Sequence, residues 1–138
     1  MTNEELLLLF GEYVGIRHLR FDISRSCQLQ IGSDFLVMIN EISEERLLLN
    51  AVVGKITPQG AEQSALTILS MNMLFAHVEG PYVTFDPHQN ILMLSRPLET
   101  IGLDAMAMEE SIRYLLQNVE HIRGALEEKE VALKIDIS

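Results

Sequence analysis

The sequence predicts an α+β fold, a twisted and mainly antiparallel sheet carrying three helices, and three observations carry that prediction. Apolar residues recur at steps of three and four over 105–126, and two more helical stretches stand at 3–14 and 65–76. Period-two alternation marks the segments between the helices, as in Leu19, Phe21 and Ile23 against Arg20, Asp22 and Ser24. The elements follow one another as helix, strands, helix, hairpin, helix, with no internal repeat and no linker, which suits a layered sheet with helices. With 138 residues the expectation is a single domain, 1–138, in which 129–138 is a candidate tail.

The first helix is read from a capping box. Thr2 is the N-cap, Glu5 follows three positions later, and the leucine run 6–9 comes next, giving a helix over 3–14 that Gly15 ends. At about 100° per residue, one buried stripe cannot absorb Leu6, Leu7, Leu8, Leu9, Phe10 and Tyr13 together. Some of them face outward or meet another chain. Two half-exposed strands are expected next, the second carrying Cys27, Leu29 and Ile31, joined as a hairpin through 24–26. Segments 35–42 and 47–53 are apolar at nearly every position and read as central strands covered on both faces, with a polar turn at 43–46 between them. The stretch 54–60, with Pro58 and two glycines, breaks that pattern.

The helix that follows organises the chain. Leu66, Leu69, Met73 and Ala76 form one face, Ala65, Ile68, Asn72 and Phe75 an adjoining one, and no charge occurs between Ala65 and Ala76. A surface helix of a monomer needs a wet side, so this one is expected to be covered twice, by its own sheet and by a second copy of the chain. The contacts expected at that homodimer interface are Leu69, Asn72, Met73 and Ala76, with Tyr82 and Val83 from the next strand. Gly80-Pro81 stops the helix, strands 82–85 and 91–95 pair across the turn 86–90, and Pro97 and Gly102 mark the exit. In the last helix Ala105, Met108, Ile112, Leu115, Val119, Ile122 and Leu126 make one dry face, with Glu109, Arg113, Glu120, Arg123 and Glu127 elsewhere. Alternation of Val131, Leu133, Ile135 and Ile137 fits a short strand, a free tail or a segment lent to another chain.

Chemistry is sparse. His18, His77, His88 and His121 fall in different elements without metal-ligand spacing, so surface and capping roles are expected, and no metal. The lone Cys27 rules out an intramolecular disulfide and reads as a small core residue. No glycine-rich phosphate loop occurs, and the acidic pairs read as solvated faces, so neither a cofactor nor an enzyme is expected. The net charge of -10 disfavours nucleic acid and anionic membrane surfaces and favours basic peptide segments. The longest apolar run, Leu6 to Phe10, is far short of the roughly 20 residues of a membrane span. With no basic segment before it as in a signal peptide, a cytoplasmic location is expected. Met71, Met73, Met93, Met106 and Met108 read mainly as core filler, and otherwise as lining of an adaptable apolar groove.

Leu74-Phe75-Ala76, then Glu79-Gly80-Pro81-Tyr82, then Ile91 to Leu94 leading to Arg96-Pro97-Leu98, resemble the class I type III secretion chaperones of the Tir-chaperone (CesT-like) type. The leucine-rich first helix ending at Tyr13-Val14-Gly15, the small size and the acidic balance support the likeness, which covers about residues 4–126. The resemblance implies a homodimeric, ATP-independent chaperone of the bacterial cytoplasm. It would bind the extended N-terminal region of secreted effectors and hand it to the secretion apparatus, whose ATPase is a further expected partner. Strand addition at a sheet edge, with side chains entering pockets by the first helix, is the expected mode. Leu6, Leu9, Phe10 and Tyr13 with Phe21, Ile23 and Leu29 are the expected effector contacts, since this region has more apolar surface than its own fold needs. The rival reading is a non-catalytic adaptor or regulatory subunit for a folded partner.

Overall fold

The computed structural model describes residues 1–135. Its order is α1 (Asn3–Val14), β1 (Ser26–Ile31), β2 (Phe35–Ser43), β3 (Arg46–Ile56), α2 (Pro58–His77), β4 (Tyr82–Asp86), β5 (Ile91–Glu99), α3 (Ala105–Glu128) and β6 (Leu133–Lys134). The strands form one antiparallel sheet in the order β1-β2-β3-β5-β4, and β6 pairs with the end of β3. Pairing registers place Leu29, Val37, Ala51 and Leu94 in one row across the sheet, and α1 and α3 pack over that face. Met108, Ile112, Leu115, Val119, Ile122 and Leu126 of α3 are all buried there, as their spacing predicts. On the opposite face the buried Asn50 and Ser95 satisfy each other at 2.6 Å, and Ser95 shares a second hydrogen bond with Thr84 at 2.7 Å.

The first helix has the expected ends. The Thr2 hydroxyl accepts from the Glu5 N–H at 3.1 Å, and Gly15 closes the helix in the left-handed conformation, φ 86°. The hairpin expected through 24–26 does not form. Residues 15–25 are a loop, in which Leu19 and Phe21 are buried while Ile23 is fully exposed. Local polar bonds override the alternation here: the Asp22 carboxylate accepts from the N–H groups of Ser24 and Ser26, and Arg25 takes a positive φ. Those bonds hold Asp22 below the usual carboxylate range, with the Ser24 side chain the largest cause.

Gly11 is what lets this loop lie against α1. A Cβ at Gly11 would sit 2.7 Å from the Ile16 carbonyl oxygen and 2.8 Å from the Leu19 Cβ, both too close. Gly11→Ala should therefore destabilise the chain by about 1–3 kcal/mol, the usual cost of overpacking, even though alanine favours a helix. Urea unfolding measures it, and an unchanged midpoint would mean that the loop is free to move aside.

Other boundaries also shift. β3 is covered on both faces along most of its length, whereas β2 alternates and is only half covered. Gly54, expected in a break, belongs to β3 at a bulge between Val52 and Gly54, and its missing Cβ admits Leu133 of β6, which would lie at 2.8 Å. The helix expected from residue 65 begins at Pro58, which occupies the first turn after the N-cap Thr57. Pro97 lies inside β5 instead of ending it, on the part of that strand that extends past β4. Arg123, placed by the sequence on the wet side of α3, donates to the carbonyls of Val53 at 2.9 Å, Asp34 at 2.8 Å and Val52 at 3.2 Å, and lies over the Phe35 ring. It ties the β3 bulge to α3. The C-terminal alternation forms the two-residue β6, and Ile137 lies outside the described residues.

Candidate functional site

Among the described residues, two apolar surfaces stand out after the chain has packed on itself. The first is a groove of about 490 Å³ on the helix-covered face, beside the β1 edge. Its walls are Phe10, Val14 and Ile16 from α1 and the following loop, Leu29 and Ile31 from β1, Phe35 from β2, and Ile112 and Leu116 from α3. A polar rim runs along α3 through Glu109, Arg113, Gln117 and Glu120, with Gln30 across from it. Glu109 and Arg113, one turn apart, pair with each other. Nearby Cys27 is buried in β1, and burial pushes its thiol up.

Of the seven residues expected to contact an effector, the structure brings Phe10 and Leu29 into this groove. Leu6 and Phe21 are core residues that do not line it. Ile23 is exposed in the turn before β1, Leu9 and Tyr13 are exposed on α1, and none of the three lines the groove. Val14, Ile16, Ile31, Phe35 and Leu116 also line the groove and were not among the seven. Their signal is three-dimensional, since four elements distant in sequence supply the walls.

The second surface is the outer face of α2. Inward, Ala61, Ile68, Met71 and Phe75 are partly buried against the core. Opposite them Leu66, Leu69 and Met73 are 80%, 63% and 60% exposed, and Ala76 continues the stripe. Tyr82 is also exposed. Asn72 and Val83, expected with them, turn the other way. Val83 is buried, and the Asn72 side chain accepts from the Val83 N–H at 2.7 Å and donates to its carbonyl at 3.2 Å.

An ionic cluster fixes the other end of α1. Arg25 donates to both carboxylate oxygens of Glu41 (2.9 and 3.0 Å), pairs with Glu4 and lies over the Phe21 ring, and Asn3 donates to Glu41 at 2.9 Å. The hydrogen bonds from Arg25, and then Asn3, hold the Glu41 carboxyl below its ordinary 4.5. A lowered folded pKa stabilises the fold above the unfolded value and loses that contribution as pH falls through the folded one. The melting temperature of Glu41→Gln should thus lie below wild type at neutral pH, and the gap should close on acidification below 4.5. A gap that persisted in acid would assign the loss to packing.

His18, His77, His88 and His121 are all exposed, and among the described residues no group of three His, Cys, Asp or Glu side chains is placed to hold a metal ion. No helix among them is long and apolar enough to cross a membrane.

The same fold occurs in solved protein complexes. A chain of the ExsC–ExsE complex superposes with a TM-score of 0.75 at 23% identity, covering 89% of this chain and 92% of that one. A chain of the HopA1–SchA chaperone–effector complex gives 0.73 at 20% identity, covering 87% and 91%. The sequence goes further than the fold: a model of the Tir chaperone protein (CesT) family matches residues 5–123, and the chain belongs to that family. The Tir chaperone of Escherichia coli O111:H- is 25% identical over 134 residues, 96% of this chain and 85% of the relative.

Proposed function

We propose that the protein is a cytoplasmic, ATP-independent type III secretion chaperone that works as a homodimer. Each copy holds an extended N-terminal segment of a secreted effector in the groove beside β1 and keeps it competent for export, with the secretion-apparatus ATPase as a downstream partner. The observation that carries this reading is the groove: an apolar floor continuous with an unpaired strand edge, which fits an extended chain better than a folded surface. Main-chain bonds to β1 would tolerate many sequences, while the floor selects apolar side chains on one side of the added strand. The outer face of α2 supplies the surface for a second copy, and its two-fold pairing would set the spacing between two grooves.

The test is a complex purified after co-expression with the N-terminal region of an effector from the same bacterium. Amide exchange should slow at Gln28 and Gln30, and the effector segment should be extended and unable to stay soluble alone. A partner that is folded and soluble without this chain would favour an adaptor instead.

A further inference from the structure

We infer that Asn72 closes the β4 edge of the sheet, so that of the two strands ending its main path β1 alone accepts an added strand. The inference rests on the strand-addition reading above. An antiparallel sheet has two edges, each offering unpaired N–H and C=O groups from alternate residues. Here the main path of the sheet ends in β1 and β4, and the two-residue β6 lies off it at the end of β3. In β4 the outward main-chain groups belong to Val83, as its bonds to Asn72 show, and by alternation to Phe85. A neighbouring strand would meet Val83 with one donor and one acceptor. The primary amide of Asn72 presents that same pair, at 3.2 and 2.7 Å. Asn72 therefore stands in for a strand, and it does so from a helix whose own main chain has nothing left to pair with a further strand. One outward residue remains on β4, too few to hold an extended segment.

The β1 edge is trimmed only at its start. Ser26 is occupied by Asp22, whose N–H donates to the Ser26 carbonyl at 2.8 Å and whose carboxylate accepts the Ser26 N–H at 3.0 Å. Alternation then leaves the outward groups of Gln28 and Gln30, immediately beside the groove. Apolar packing of Ile68, Met71 and Phe75 is non-directional and could hold α2 at several rotations, whereas two hydrogen bonds to one residue select a single one. Asn72 thus directs an extended ligand to the grooved edge by removing the other.

The experiment uses a nitroxide-labelled peptide with the β2 sequence, residues 35–43, followed by two lysines, added to the isotope-labelled protein. In wild type the amide signals of Gln28 and Gln30 should lose intensity, and those of Val83 and Phe85 should not. Asn72→Asp sets a carboxylate against the Val83 carbonyl and drives α2 off the edge, and Asn72→Ala removes both bonds without repulsion. Either variant, folded by its spectrum, should also lose intensity at Val83 and Phe85. If these two signals stay unaffected in both variants, Asn72 does not close the edge. If they respond in the variants while Gln28 and Gln30 are silent in wild type, the closing role stands and strand addition at β1 falls.

Discussion

Met73→Asp should weaken the proposed dimer roughly a thousandfold, with the fold of each copy intact. Met73 sits at the centre of the α2 outer face, 60% exposed, between Leu69 and Ala76 one turn to either side. Because the side chain makes no essential contact with its own core, the carboxylate costs a single copy little. At a two-fold interface the same substitution enters twice. A central position is worth about 2 kcal/mol or more when lost, so the pair should cost about 4 kcal/mol, roughly a thousandfold in the dissociation constant. Sedimentation equilibrium reads this directly. A wild-type chain that sediments as a monomer would remove the premise, and a variant that stays dimeric would move the interface elsewhere. The contrast with Asn72→Ala is informative, since that residue faces its own β4 and should act on α2 placement first.

The two faces of α2 were largely legible because helical spacing separates Leu66, Leu69, Met73 and Ala76 from Ala65, Ile68, Asn72 and Phe75 without knowledge of the sheet, and only the structure adds Met71 to the inner one. The same holds for the dry face of α3 and for both ends of α1, where Thr2 and Gly15 carry their instructions locally. What the sequence concealed depends on contacts distant along the chain. Alternation at Leu19, Phe21 and Ile23 imitates a strand, yet Leu19 and Phe21 are buried by a loop packed on Gly11, and no neighbouring strand is involved. Asn72 looks like one more residue on a face until β4 arrives beside it, and Arg123 looks solvated until the β3 bulge presents its carbonyls. The groove is the largest such case, for Val14, Ile31, Phe35 and Leu116 have no common period.

Knowledge of the walls changes which substitutions can test effector capture. Phe10→Asp would place a charge at a position 3% exposed, in the core shared by α1, so loss of binding there would report unfolding. Val14 and Ile31 are better probes, because both line the groove and both are more than a third exposed in the free chain. Val14→Asp combined with Ile31→Asp should lower the melting temperature by less than Phe10→Asp does, and binding is measured below that temperature. A bound segment would cover the exposed third of each side chain, about 0.5–1 kcal/mol of apolar contact apiece, so effector affinity should fall at least about fivefold. Leu9→Asp with Tyr13→Asp is the matched pair on the exposed part of α1 outside the groove. Loss of capture in a pull-down with the first pair and retention with the second would place the effector between α1, β1 and α3. The reverse result would put it on the outer surface of α1, where the leucine run first drew attention, and would leave the groove without this role.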